Sequence, residues 1–571
     1  MGVSAAIFET AGKRSEHYVP GTYSRSHNVT SPVGVSAGNL CILGKSLGGE
    51  PGKLLGFSSL AEAKNVLIGG DLLEAVGHAF KGSNTYIPSR VYAMRVNNGT
   101  QAELTLKTGE TPILKLKAWD YGTHTNQLKL WLEQGTNEGL KVSVLYKNTE
   151  YSYDNIVKES ISIQYIGENE NSSATVQADK LVLETGGESS TKLELSWVDY
   201  PSLAELVARI NDTDDFYAVV VDSNAEAKTE NLDTVTITDL REEKTLKSEL
   251  YELTKVLKSC PLISSVEFVG GSSKTVPEQG TSYQYFTGGT VGDYTVLQWM
   301  ETLEKLETED VQIIATPVTD SSVQVLISSH CTEMSGVDAK KERTCWLGGL
   351  IGESDDEAIE KAKGFNNKLV SYVVDSAIAS NPLTGETETI SGAMLACKLA
   401  GMESAMAVNE PLTNKTINVL GFQKKRTIGN MGDLIKAGVV VCNPSVDSPD
   451  NYVCIRAVTT YQGEGDLISC ERSMTREDLY MNRDLRKRFA SSIGTPGNGS
   501  TSSIIQTLKD AAREWAVAGY IIPSGSDNVW DIRVRIDGDK VYLEFSRYLT
   551  APRNFVFLTA TNSVYTSEVA L

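Results

Sequence analysis

The sequence predicts a multidomain protein of α/β plus β class: a parallel-sheet α/β domain, a β-sandwich insertion and a mixed α+β C-terminal domain. Three observations carry that expectation. The 571 residues exceed the ~250–300 at which a single hydrophobic core stops growing, so several domains are needed. Between residues 295 and 407, near-continuous apolar strands alternate with amphipathic helices, which is the pattern of a parallel sheet covered on both faces. Between residues 100 and 197 the pattern changes to short runs of polar alternation, broken by Gly, Asn and Glu at near ten-residue spacing, as in an all-β unit.

Taken in order, residues 1–38 hold Pro20, Gly21, Pro32, Gly34 and Gly38 among many Ser and Thr. So few apolar side chains cannot pack a core, and an extended arm is expected. Residues 39–99 form an α/β segment that packs with the inner domains. It has a strand from Cys41, a helix over 58–80 carrying Leu60, Ala63, Leu67, Leu72, Leu73, Val76 and Phe80 at spacings near three and four, and a strand at 90–96. The insertion, 100–197, reads AELTLKTG, ILKLKAW, LKLWLEQG, KVSVLY, ISIQYIG, ATVQA, KLVLETG and KLELSW. The α/β domain, 198–428, opens with the helix SLAELVARIN and the strand FYAVVVD at 216–222; residues 223–290 show no clear period. Helices at 295–307, 321–334, 354–367 and 391–407 then alternate with the strands VQIIATPV, RTCWLGG and LVSYVVD. In the C-terminal domain, 429–571, a helix at 475–490 and another at 503–518 flank a Gly/Ser/Thr linker. The strands WDIRVRID and KVYLEFSRYL follow, joined by a tight turn at Asp537-Gly538-Asp539, and NFVFLTATNS at 554–563 reads as a last strand.

Composition removes several function classes. A formal net charge of −20 opposes binding to nucleic acid or anionic membrane, because phosphate recognition needs an excess of Lys and Arg. No run of 18 apolar residues exists to span a bilayer. The start, MGVSAAIFET, lacks a charged segment followed by an apolar one, and Ala6 stands where myristoylation needs Ser or Thr. The chain is therefore expected to be made and kept in the cytosol. Its eight cysteines show no Cys-x-x-Cys and no nearby His pair, so they read as small buried hydrophobes; neither metal nor cofactor is expected.

Catalytic constellations fare poorly. Of the five histidines only His330 falls in the α/β region, followed by Cys331 and Thr332, and the Gly-Thr-Ser at 280–282 precedes it. That is the reverse of the Asp, His, Ser order of subtilisins. The turn GGLIG at 348–352, with Asp375 after the next strand, suggests a dinucleotide fingerprint but lacks its spacing, and Glu353, Asp355 and Asp356 would repel phosphate. NDTDD at 211–215 and ESDDE at 353–357 lack the ligand order of a calcium loop and read as solvated loops and helix starts. The exception to the acidic balance is ERSMTREDLYMNRDLRKRF at 471–489. Thr475 and Asp478 have capping-box spacing, Met481, Leu485 and Phe489 form an apolar stripe, and Arg483, Arg486, Lys487 and Arg488 gather positive charge in the last turns. Two readings stay open: cations favoured at a helix C-terminus, worth ~0.3–1 kcal/mol each, or a site for an acidic partner.

The stretch 391–460 reads SGAMLACKLAGMESAMAVNEPLTNKTINVLGFQ, then IGNMGDLIKAGVVVC, then NYVCIRAVTT. A helix of small residues (Gly392, Ala393, Ala396, Ala400, Gly401, Ala405) leads into EPLTNK, a short helix at 431–436 and a strand ending in RAVTT. With RTCWLGGLIGESDDEAIEKAKGFNN at 343–367, FASSIGTPGNGST at 489–501 and the helix running into AGYI at 518–521, this resembles the tail sheath proteins of contractile phage tails. Residues 41–96 match more loosely and 100–300 only in general plan. The resemblance implies a structural, non-enzymatic subunit whose α/β domain is subtilisin-like without catalysis and whose insertion faces outward. It implies terminal arms that add strands to neighbouring subunits. It also implies a C-terminal inner domain that meets the tail tube through complementary charge; the candidates for that contact are Arg483, Arg486, Lys487 and Arg488 on the basic helix, or Lys509 and Arg513 on the helix at 503–518. Expected partners are further copies in a helical array, the tail tube protein, and baseplate and tail terminator proteins, with no nucleic acid and no membrane. The expected place is the virion tail, assembled in the host cytoplasm. The rival class is an enzyme, either a hydrolase on the α/β domain or a nucleotide-binding protein at 348–352.

Overall fold

The computed structural model describes residues 6–10, 13–17, 38–169, 171–186, 190–445, 448–495, 501–562 and 564. They fall into two compact units, one spanning Gly38–Thr475 and including the chain from Asn554, the other Arg476–Arg553 with the N-terminal hairpin.

The larger unit is organised by an eight-stranded sheet in the order Tyr452–Arg456, Val439–Pro444, Val370–Val373, Thr344–Gly348, Ile313–Ala315, Leu40–Gly44, Val91–Arg95, Leu54–Phe57. The six inner strands run parallel and the two edge strands antiparallel. Every residue of Leu40–Gly44, Thr344–Gly348 and Val370–Val373 is buried, which is why these strands read as unbroken apolar runs. The sheet is assembled from three separated parts of the chain. Residues 39–99 supply three strands and 439–456 two more, so the three segments expected as separate domains share one sheet.

The helix Gly392–Ser404, which packs on the central strands, accounts for the small-residue run. A Cβ on Gly401 would lie 2.2 Å from the Ala79 carbonyl oxygen of the helix Asp71–Phe80, and one on Gly392 2.4 Å from that of Val373. Backbones approach this closely only where side chains are absent. The single helix expected over 58–80 is two, Leu60–Leu67 and Asp71–Phe80. Ile68 and Gly70 both take positive φ, 64° and 92°, and break the helix between two stretches of matching apolar period.

The strand Phe216–Val220 corrects the expected α/β rhythm. It pairs antiparallel with Glu159–Tyr165, inside the inserted β region. Antiparallel pairing in fact runs from Gln101 to Tyr285 in four small sheets, well past the boundary expected at 197. They enclose two cores. One gathers Leu104, Leu116, Leu130, Val142, Leu253 and Phe286; the other, nested within it in sequence, gathers Ile161, Leu183, Leu206, Phe216 and Leu246. Arg95 ties both crossings of this region to the sheet. Its guanidinium, wholly buried, donates to the carbonyls of Asn97, Gly49, Tyr121 and Val291 at 2.7–3.1 Å.

In the smaller unit the helices Arg472–Phe489 and Ser502–Val517 share a core of Met481, Leu508, Ala511, Ala512 and Trp515. The first helix begins three residues before the expected Thr475, whose hydroxyl donates to the Ile468 carbonyl at 2.9 Å rather than capping. The expected hairpin is present as Trp530–Asp537 and Lys540–Ser546, with Gly538 at φ 59° in its turn. Residues 554–562, expected as a strand, form none. Within the expected N-terminal arm, Ala6–Thr10 and Lys13–His17 pair as an antiparallel hairpin; apart from Gly38, the rest of that arm lies outside the described residues.

Candidate assembly surfaces

The residues singled out for chemistry are built into the scaffold. His330 is buried on the helix Ser321–Met334, where its Nε2 meets Arg343 Nη1 at 2.7 Å. Arginine only donates, so this nitrogen is the acceptor. Burial and the adjacent guanidinium lower the imidazole pKa to about 4. The turn at Gly348 is filled by protein: a Cβ there would sit 2.3–2.5 Å from the backbone of Gly392 and Ala393. Asp375 pairs with Arg426 and accepts from the Cys442 amide at 2.7 Å, and the Glu353 carboxylate takes the Tyr372 hydroxyl and Lys361. Ser354 and Glu357 form the capping box of the following helix, so the acidic run there serves a helix start. Seven cysteines are buried and Cys470 is half-buried, all of them free thiols. Among the described residues no helix is long and apolar enough to cross a membrane.

Within the larger unit a buried charge lies at Arg472, a residue to which the sequence assigned no role. Arg472 is 1% exposed. Its five N–H groups are all engaged: two on the Glu403 carboxylate at 2.7 and 2.8 Å, two on the Cys345 carbonyl and Ser371 hydroxyl, one on the Thr344 hydroxyl. The guanidinium also stacks on Trp346 at 4.2 Å, and the indole N–H donates to the same Glu403 at 2.7 Å. The signal in the sequence was an acid, Glu403, inside a helix of mostly small and apolar residues in which Lys398 is the only other charge, because a buried charge requires a partner.

The six candidate tube-contact cations separate into kinds. Arg488 is committed within the chain: it bonds Asp484 at 2.9 Å and Glu514 of the second helix at 2.5 Å, and Asp484 also takes the Trp515 indole at 2.8 Å. This favours the self-contained reading for that residue. Lys487, Lys509 and Arg513 are exposed, and Arg483 and Arg486 are half-buried. Arg513 pairs with Asp510 at 3.2 Å. Lys509 and Arg513, four residues apart, share one face of the helix Ser502–Val517.

Two features present main-chain or apolar surface. The hairpin Trp530–Asp537 with Lys540–Ser546 is a two-stranded sheet on its own, so each strand keeps one edge of N–H and C=O groups unpaired within it. In the larger unit the chain continues from Asn554 to residue 562 without helix or strand. Asn554 donates to Glu471 at 3.1 Å and the Phe555 ring lies 5.7 Å from the Arg456 guanidinium. The side chains beyond emerge into solvent, with Phe557 and Leu558 each 90% exposed. Beside this segment opens a groove of about 650 Å³, lined by Ile428, Met431, Ile435, Ile455 and Phe555 among others.

No protein-family model matches the chain. Curated relatives do, over most of their length. The chain is 24% identical over 499 residues to the tail sheath protein of Staphylococcus phage Twort, covering 80% of this chain and 82% of that one. It is 23% identical over 586 residues to the tail sheath protein of Bacillus phage SP01, covering 98% of each. Among solved structures, the sheath tail protein of Listeria innocua aligns with a TM-score of 0.56 at 12% identity, over 90% of this chain and 95% of that one. The sheath tail protein of Desulfitobacterium hafniense aligns with a TM-score of 0.52 at 14% identity, over 93% and 100%. The resemblance to tail sheath proteins read from residues 343–521 is thus borne out along almost the whole chain, as is a mixed α/β, multi-sheet fold.

Proposed function

We propose that this chain, similar to phage tail sheath proteins over up to 98% of its length, is the subunit of a contractile tail sheath: a structural protein that polymerises helically around a tail tube and contracts to drive it through the host envelope. That near full-length similarity carries the reading. Contraction on this account is a rigid-body rearrangement of subunits that releases free energy as lateral interfaces form, without nucleotide. Heterologous contacts that do not close generate such helical arrays.

The physical features suit the role. Unpaired strand edges and an extended apolar tail accept or donate strands through main-chain bonds that tolerate rotation between neighbours. In this reading the eight-stranded sheet belongs to a subtilisin-like domain without catalysis, and the antiparallel region 101–285 is a sandwich-type insertion facing outward. The smaller unit faces inward, with Arg486, Lys487, Lys509 and Arg513 toward an acidic tail tube. Baseplate and tail terminator proteins cap the array, and the particle, a virion tail, assembles in the host cytoplasm.

Negative-stain microscopy of the purified chain, alone and with tube protein, tests the reading: rings, tubes or sheaths are expected, and discrete particles in both conditions would refute it. Deleting residues 1–20 is expected to leave a folded monomer that no longer polymerises. Reversing charge at Arg486, Lys487, Lys509 and Arg513, while sparing Arg488 for its bond to Glu514, is expected to reduce assembly around the tube and to leave self-assembly intact. Normal assembly around the tube by that variant would remove the charge contact from the reading.

A further inference from the structure

The helix Asp71–Phe80 and the strand Thr387–Ile390, some 300 residues apart in sequence, bring Glu74, His78 and Glu388 together. One ligand atom from each lies within 4.8 Å of the others. Glu74 and His78 are one turn apart, hence on one helix face. His78 Nε2 stands 3.8 Å from Glu74 Oε1 and 3.6 Å from Glu388 Oε1. Both distances are beyond a hydrogen bond.

His78 is 0% exposed and neither of its ring nitrogens makes a hydrogen bond. Leaving buried polar groups unmade costs ~1–3 kcal/mol each, so the arrangement calls for a partner that the side chains do not supply. The Glu388 Oε1 facing it is likewise buried without a hydrogen bond, while its Oε2 takes the Asn381 amide at 2.9 Å. That bond leaves one oxygen directed at the imidazole, as second-sphere partners do for ligating carboxylates. The close approach is enforced by packing: a Cβ on Gly77 would lie 2.7 Å from Pro382 in the turn before Thr387–Ile390.

We propose that Glu74, His78 and Glu388 form a binding site for a divalent ion of the zinc and cobalt type, which clips the helix Asp71–Phe80 to the hairpin Ala377–Ser380 with Thr387–Ile390. One imidazole and two carboxylates suit such borderline ions, with water completing the set. Bonds of ~2.1 Å require the ligand atoms to close to ~3.4 Å from one another. The two glutamate side chains, 26% and 31% exposed, have the freedom to make that movement and leave an entry path from solvent. Lys81 and Lys398 lie within electrostatic range of His78 and oppose a cation there, so the attraction comes from the two carboxylates acting together. The site is independent of the proposed sheath function, and its test does not involve assembly.

The experiment uses the full chain stripped with a chelator, then titrated with Co²⁺ and Zn²⁺. One equivalent of Co²⁺ is expected to give a visible ligand-field band without the near-ultraviolet thiolate transition that cysteine binding would add. Zn²⁺ at ~100 times its dissociation constant is expected to raise the melting temperature by about 2–3 °C. Glu74→Gln and Glu388→Gln, both at partly exposed side chains and so compatible with folding, are expected to abolish the band and the shift, whereas Glu133→Gln in the inserted region keeps both. Absence of the band, a thiolate transition, or a band that survives in the Glu74→Gln and Glu388→Gln variants overturns the proposal.

Discussion

Replacing Arg472 by Met tests whether the core of the larger unit depends on its buried ion pair. The substitution keeps a long apolar stem but removes five N–H donors and the stack on Trp346. It removes the Arg472 guanidinium from the Glu403 carboxylate, which is 2% exposed. Breaking one side of such a buried pair costs ~3–5 kcal/mol, because the remaining charge has lost its solvent and its partner together. The larger unit spans about 450 residues, and unfolding entropy of ~2.1 cal/mol/K per residue amounts to ~1 kcal/mol/K. The expected fall in melting temperature is therefore ~3–5 °C, read by differential scanning calorimetry on the transition of that unit. The double variant Arg472→Met with Glu403→Leu removes both charges and is expected to recover part of the loss. Recovery stays incomplete because the Trp346 indole N–H then has no acceptor, at ~1–3 kcal/mol. A single-variant shift below ~1 °C, or a double variant as unstable as the two single losses added together, would refute this account of the network.

Three further outcomes follow from the same geometry. Gly401→Val forces a side chain against the Ala79 carbonyl, 2.2 Å from the nearest Cβ position; overpacking of ~1–3 kcal/mol or more is expected, seen as a lower melting temperature, and Gly401→Ala lies between it and the parent. His330 has a folded pKa lowered to about 4, so its contribution is fully present above its unfolded value of ~6.5 and is lost as pH falls toward 4. His330→Gln retains an acceptor for Arg343 and is expected to flatten that part of the stability profile, measured by thermal unfolding from pH 4 to 8. Phe557→Ser with Leu558→Ser changes side chains that are 90% exposed; monomer melting is expected to stay the same while sedimentation reports weaker self-association.

Much of the architecture was legible locally. The helix Ser321–Met334 matches its expected span to the residue, and the strands Thr344–Gly348 and Val370–Val373 sit inside theirs, because continuous burial writes itself into continuous apolar runs. The strand at 216–222 was visible as a strand, but its partners were not. Apolar alternation is the same whether a strand joins a parallel sheet or, as here, pairs antiparallel with Glu159–Tyr165 at the edge of a small sheet in an inserted β region. The segment 554–562 has strand-like composition and no strand structure, since β propensity expresses fit to a neighbouring strand and none pairs with it among the described residues. Of the basic residues, Arg488 could not be distinguished from Lys487 by position. Packing of the second helix against the first is what put Glu514 in reach of Arg488.

By itself the sequence determined most of the periods: where the main helices and buried strands fall, which faces are apolar, and that a helix rich in Gly and Ala must lie against something close. Tertiary structure alone decided which distant segments meet. It placed residues 39–99 and 439–456 in one sheet with 313–373, set Arg472 on Glu403, and brought Glu388 to the helix turn bearing Glu74 and His78. The physical reason is that hydrophobic burial is non-directional and is encoded in local spacing, whereas a buried charge or an orphaned imidazole is answered by one particular side chain at one particular distance, and no local spacing specifies that partner.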